Sequence, residues 1–131
     1  MRTRAKICGI TRVEDVHAVV NAGCDAIGFV FYPPSPRSVT LAQAEILIQT
    51  VPAYVQAVGL FVNSSADEIQ TILKTVPLDI LQFHGDETPE QCQSIARQVG
   101  RRWYKAIQVK PGLDVVAEIQ KYQDAGASAV L

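Results

Sequence analysis

Short apolar runs alternate along the chain with stretches whose apolar residues recur at helical spacing. The runs cover residues 4–8, 26–31, 55–62, 80–83, 103–109 and 127–131. Their centres are rich in Ile, Val, Leu, Phe and Ala and show little polar alternation, as expected of strands covered on both faces in a parallel sheet. The fifth run, with Trp103, Tyr104 and Lys105, is the least apolar. Between the runs, Ile69, Ile72, Leu73 and Val76 stand at i, i+3, i+4 and i+7, and so do Cys92, Ile95, Ala96 and Val99. Each set forms one apolar stripe on a helix.

Start and stop signals agree with this alternation. Thr11-Arg12-Val13-Glu14, Thr40-Leu41-Ala42-Gln43, Ser65-Ala66-Asp67-Glu68 and Thr88-Pro89-Glu90-Gln91 read as capping boxes. Pro89 falls at a first helical position, where its missing N–H costs nothing. Ala22-Gly23 and Ala125-Gly126 read as helix stops. Asp79, Trp103 and Ala127 stand 24 residues apart, so the units are regular. The pattern is five βα units and a sixth strand, an α/β class with a parallel sheet. Two architectures hold it. An open flavodoxin-like sheet of five strands suits the length. A (β/α)8 TIM barrel needs eight units, about 190 residues at this spacing.

Composition narrows the function. The chain has 131 residues, 48% of them hydrophobic, with 12 basic and 13 acidic side chains and a net charge of −1. A single domain of this size buries about two-thirds of the surface exposed by its unfolded chain. Without a basic cluster there is nothing to neutralise a phosphate backbone, so nucleic acid is excluded as a partner. No apolar run reaches the roughly 18 residues of a membrane span, and the start is too poor in apolar residues for a signal peptide. Cys8, Cys24 and Cys92 form no CxxC pair, and with His17 and His84 they show no metal-ligand spacing. Free thiols in the reducing cytoplasm and no metal are the expectation.

In either architecture chemistry gathers at the C-terminal ends of strands. Cys8 closes the first strand just before a helix begins, a setting that favours the thiolate, and Lys6 adds positive potential on the same strand face. The plainer reading is a small buried hydrophobe, and position alone favours it. The loop from Tyr32 to Ser38 carries three prolines that pre-organise Arg37, whose fork suits a carboxylate or phosphate; a solvated arginine is the alternative. His84, Asp86 and Glu87 end the fourth strand. They suit acid–base work, although capping of the helix at Thr88 is the expected role. His17 reads as solvated, and Cys24 and Cys92 as core.

Lys6-Ile7-Cys8-Gly9-Ile10-Thr11 resembles the opening signature of the phosphoribosylanthranilate isomerases. The resemblance continues through Ala22-Gly23-Cys24-Asp25-Ala26-Ile27-Gly28-Phe29-Val30-Phe31, Ser35-Pro36-Arg37, Val58-Gly59-Leu60-Phe61-Val62-Asn63 and Leu81-Gln82-Phe83-His84-Gly85-Asp86-Glu87. These blocks keep the family's order over essentially the whole chain. The resemblance implies a (β/α)8 barrel, here its first five units and sixth strand. It implies an Amadori rearrangement of N-(5-phosphoribosyl)anthranilate in tryptophan biosynthesis, with no cofactor. Cys8 then matches the general base and Arg37 the arginine that contacts the anthranilate carboxylate, with Lys6, His84 and Asp86 lining the site. The family's aspartate general acid follows strand six, and its phosphate loops follow strands seven and eight. No residue up to Leu131 matches them, so residues 1–131 are expected to form an incomplete barrel segment with little activity alone.

Rival readings are another phosphate-binding barrel of amino-acid biosynthesis, a half-barrel that only binds a partner, and a receiver-type signalling module. A receiver needs an acidic pair after strand one and an aspartate after strand three. Cys8-Gly9 and Asn63-Ser64 occupy those places.

Overall fold

The structure, a computed structural model, describes residues 2–131. Strands β1 (Lys6–Cys8), β2 (Ala26–Val30), β3 (Gln56–Phe61), β4 (Ile80–Phe83), β5 (Arg102–Lys105) and β6 (Ala129–Val130) alternate with five helices. These are α1 (Val13–Asn21), α2 (Leu41–Ile48), α3 (Ala66–Leu73), α4 (Pro89–Val99) and α5 (Val115–Asp124). All neighbouring strands pair in parallel, in the order β1-β2-β3-β4-β5-β6. A flavodoxin-like sheet would place β1 between two partners, with a switch in strand order. Here β1 pairs with β2 alone, and the open-sheet topology does not hold.

The sheet is curled. In a flat sheet β1 and β4 stand three spacings apart, about 14 Å, beyond the reach of two side chains standing upright on it. Yet Lys6 Nζ on β1 donates to Gln82 Oε1 on β4 at 2.5 Å and lies 5.8 Å from the Tyr104 ring centroid on β5. The six strands therefore form an arc of a (β/α)-barrel, concave on the side that carries Lys6. Registered residues share a face. Lys6 and Cys8 pair with Ala26 and Gly28, and Ala26, Val58, Ile80 and Tyr104 form a small inner cluster.

The convex face holds the main core. Ile27, Phe29, Phe61, Leu81, Phe83 and Trp103 from the strands meet Val16, Leu47, Ile69, Cys92 and Val99 from the helices. Phe29, Phe61 and Phe83 are fully buried, and each stabilises the layer by about 1.5–3 kcal/mol. Phe83 and Trp103 pack edge to face with centroids 5.9 Å apart, joining β4 to β5. The apolar stripes of α3 and α4 thus face inward, as their spacing predicts.

Capping boxes form at Thr40, Ser65 and Thr88, and α1 and α5 end at Ala22 and Ala125. The predicted box at Thr11 does not form: α1 starts one residue later, with Arg12 at its N-cap and no side-chain cap. The shift places Asp15 at the third helical position, and Arg12 engages it as a salt bridge at 2.8 Å. Several strands are shorter than their apolar runs. Ala5 stays outside β1 because its N–H donates to the Asp25 carboxylate at 2.8 Å. β5 ends at Lys105; Ala106 N–H still donates to the Phe83 carbonyl and Ile107 N–H to the Leu131 carbonyl, both at 2.9 Å, before the chain enters a turn at Pro111-Gly112. No helix of the described residues is long and apolar enough to cross a membrane.

Candidate active site

The concave face gives Cys8 its space through a missing side chain. Cys8 pairs with Gly28, and a methyl group on Gly28 would stand 2.8 Å from Cys8 Sγ. Any larger residue at position 28 would displace the sulfur. After Cys8 the backbone turns through Gly9, whose φ of +83° is costly for a residue with a side chain. The N–H groups of Gly9 and Ile10 both donate to the Gly28 carbonyl, at 2.9 and 3.2 Å. The half-buried thiol is thereby fixed at the C-terminal end of the arc.

Arg37 arrives over the same turn. Ser38 bridges to Val30, and the Val39 N–H donates to the Val30 carbonyl, which lays the proline-rich loop along the end of β2. The guanidinium crosses Gly9 so closely that a methyl group there would meet Arg37 Cδ and Nη1 at 2.7 Å. Arg37 Nη1 donates to the Cys8 carbonyl at 3.0 Å. Arg37 is exposed, and among the described residues its guanidinium makes no other hydrogen bond, so donors remain for an anion.

Below the thiol the interior is polar. Lys6, Gln82 and Tyr104 meet there. Burial pushes the Tyr104 phenol up to about 12, and negative charge at Cys8 adds to the effect. Lys6 is therefore part of the concave interior that contains Cys8, although its ammonium reaches across the arc to Gln82.

His84 and Asp86 belong to a second grouping. The His84 N–H donates to the Phe61 carbonyl at 2.8 Å, continuing the β4 ladder beyond its last residue. Both side chains line a cavity of about 770 Å³ with Asn63, Lys105, Lys110 and Tyr32. Cys8 and Arg37 do not line this cavity; the Tyr32–Ser38 loop joins the two groupings, with Tyr32 in the cavity wall and Arg37 over Gly9.

The expected capping role of His84, Asp86 and Glu87 is not what the structure contains. Thr88 and Gln91 cap α4 between them, as a capping box. Glu87 folds back and is buried with Lys105 at an Nζ–Oε2 distance of 2.8 Å. Its Oε1 accepts from the Asn63 N–H at 2.6 Å and its Oε2 from the Gly85 N–H at 2.9 Å. Helix capping lost because β5 delivers a lysine to the convex face, where a buried ammonium needs a carboxylate. Lys105 is the visible sign, a charge in an otherwise apolar run; Glu87 stands out only as one acid of the His84–Glu87 group, and Gln82 and Gly28 carry no chemical signal of their own.

The remaining candidates stay apart. His17 is exposed on α1. Cys24 and Cys92 are buried in the core, and burial raises both thiols, that of Cys92 to about 12. Among the described residues no three His, Cys, Asp or Glu side chains converge as a metal site.

Helices outside, parallel strands inside and chemical groups gathered at the C-terminal strand ends define an arc of a (β/α)-barrel. The family model for N-(5'phosphoribosyl)anthranilate (PRA) isomerase matches residues 5–131. The chain belongs to this family. It is 72% identical over 131 residues to an N-(5'-phosphoribosyl)anthranilate isomerase of Acinetobacter calcoaceticus and spans 62% of that protein's length. The phosphoribosyl anthranilate isomerase structure from Thermotoga maritima superposes with a TM-score of 0.83 at 37% identity, covering 91% of this chain and 57% of that one. A structure of the isomerase in complex with reduced 1-(o-carboxyphenylamino)-1-deoxyribulose 5-phosphate gives the same TM-score, 0.83, and 37% identity, with 60% of its chain covered.

Proposed function

We propose that the protein isomerises N-(5-phosphoribosyl)anthranilate in tryptophan biosynthesis, and that residues 2–131 supply the base and the carboxylate clamp. The observation that carries this reading is the joint seating of Cys8 and Arg37 on one turn, in a chain of the isomerase family. The related isomerase holding a reduced carboxyphenylamino-deoxyribulose phosphate supports a phosphorylated small-molecule substrate that carries an aromatic carboxylate.

The chemistry fits these groups. Opening of the furanose leaves a protonated imine, which acidifies the neighbouring C2 proton. Cys8, as thiolate, takes that proton and becomes the thiol. The electron pair left on C2 passes toward the imine nitrogen to give an enolamine, which tautomerises to the ketone. Because the substrate's own nitrogen serves as the electron sink, no metal or organic cofactor is required. Arg37 places its fork on the anthranilate carboxylate, and so holds the ring beside the thiol. No residue in 2–131 is assigned as general acid or phosphate ligand. Free thiols at Cys8, Cys24 and Cys92 suit a reducing cytoplasm.

The test is turnover of the phosphoribosyl substrate by the full-length protein and by its Cys8→Ser variant. The native protein is expected to turn over, and the variant to lose about 10²- to 10⁴-fold, the usual contribution of a positioned base. A variant that retains near-native turnover removes Cys8 from the role. A native protein inert toward this substrate removes the function.

A further inference from the structure

We infer, on the isomerase reading, that the buried Glu87–Lys105 pair is a positioning device that sets His84 and Asp86 at the cavity which the Tyr32–Ser38 loop joins to the Cys8–Arg37 grouping, so that this cavity extends the substrate site. The pair lies on the convex side, where the main core is otherwise apolar, and its side chains are only 4% and 5% exposed. A buried ion pair is a poor source of stability, since desolvation of both charges offsets their attraction. Its contacts say what it does instead.

The Glu87 carboxylate gathers donors from the ends of three successive strands: Asn63 after β3, Gly85 after β4, and Lys105 at the end of β5. Lys105 Nζ returns a second bond to the Gly85 carbonyl at 2.5 Å, so Gly85 is held at both its N–H and its C=O. The backbone carbonyl of Glu87 accepts from the Tyr122 hydroxyl at 3.0 Å, and Lys105 Nζ lies 5.7 Å from that ring's centroid, which fixes the pair against α5. Asn63 closes the circuit. Its Oδ1 accepts from the Asp86 N–H at 2.9 Å, while a methyl group on Gly85 would stand 2.5 Å from that same oxygen. Asn63 itself has φ of +53°, a left-handed conformation that Asn tolerates better than most residues.

The His84-Gly85-Asp86 backbone is therefore bonded at every residue, to Phe61, Glu87, Lys105 and Asn63. Among the described residues no side-chain hydrogen bond or salt bridge involves the imidazole of His84 or the carboxylate of Asp86, and both residues line the cavity. Groups so placed are free to meet a ligand on a backbone that cannot drift. Cys8 is fixed separately, through Gly9 and Gly28, so the pair acts on substrate placement rather than on the base.

The decisive variant is Glu87→Gln with Lys105→Met in the full-length protein, because it removes both charges together; either change alone leaves an unpaired buried charge and risks unfolding. Amide exchange at Asn63 and Gly85 should quicken at least about tenfold while exchange at Val58 and Leu60 within β3 stays native. KM for the phosphoribosyl substrate should rise about 10- to 100-fold, the scale of a small misplacement of binding groups, with kcat within about threefold of native. A KM within twofold of native overturns the inference, even if the amides exchange faster, because the pair is then only structural. Native exchange rates at Asn63 and Gly85 overturn it as well. If the native protein fails to turn over the substrate, the isomerase reading falls while the exchange experiment still decides whether the pair holds the loop.

Discussion

The two ends of the arc use the same device for opposite purposes. At the N-terminal ends of the strands, the Asp25 carboxylate ahead of β2 accepts from the Ala5 N–H beside β1 at 2.8 Å. The Asp79 carboxylate ahead of β4 accepts from the Ala57 N–H on β3 at 2.7 Å. At the C-terminal ends, the Glu87 carboxylate after β4 accepts from the Asn63 N–H after β3. In each case an acid on one unit fastens the backbone of the unit before it. The counter-charges differ. Asp25 is met by Arg2 at 2.6 Å and Arg4 at 2.9 Å, both largely exposed, whereas Glu87 is met by a buried lysine. The Asp25 end consumes its charges in holding strands together. The Glu87 end hides its charges beneath the strand ends and loops that carry Cys8, Arg37, His84 and Asp86, the groups proposed for chemistry. A (β/α)-barrel can divide stability and function between its faces in this way because strand ends alone decide which side chains meet.

The largest expected effect that tests this division is at Cys8. If the C-terminal end serves chemistry, Cys8→Ser should leave the urea midpoint within error of native while turnover collapses; a large fall in the midpoint would make the thiol a packing residue. Gly28→Ala comes next. The added methyl group must displace Sγ or β2, so kcat should fall about 10²-fold and stability by about 1–3 kcal/mol, as read by single-turnover rates and denaturation. Arg37→Ala should raise KM about 10- to 100-fold, the value of a charge-assisted contact to a carboxylate, with kcat changed less; an unchanged KM counts against the clamp.

The smallest effect belongs to the other end and carries no activity change. The Arg2 fork, together with the Ala5 N–H and Arg4, holds the Asp25 carboxyl well below its ordinary value of 3.8. A depressed acid contributes stability that is present above its unfolded pKa and is lost as pH falls through the folded one. Asp25→Asn should therefore be less stable than native at neutral pH, and the gap should narrow steadily as pH drops below 3.8. A gap that persists undiminished in strong acid would mean the variant disturbs packing instead.

Much of this was legible beforehand, and the reasons are local. Apolar stripes and capping boxes act within one helical turn, so α2, α3 and α4 could be placed from their own residues. Cys8 stands out as a candidate because it closes a strand, and Arg37 because three prolines stiffen the loop that carries it. What escaped depends on curvature and register. That Lys6 would meet Gln82, or that Gly28 would lie under Cys8, follows only once strands distant in sequence are side by side. Glu87 illustrates the same limit. As a residue next to a helix start it reads as a cap, and only the neighbouring strand's lysine, 18 residues on, claims it. The box at Thr11 failed for a smaller reason, a one-residue shift that turned Arg12 into the N-cap.

The bond from Lys6 to Gln82 also bears on the order in which the arc assembles. Every strand pairs with its neighbour in sequence, so each ladder closes a loop of one βα unit, and contacts of that kind form early at modest entropic cost. Lys6 and Gln82 stand 76 residues apart and meet only if the intervening ladders are already curled. The sheet is thus expected to zip from neighbour to neighbour as a flat or weakly bent ribbon. The Lys6–Gln82 bond is then expected to close late, once curvature has brought β1 across from β4.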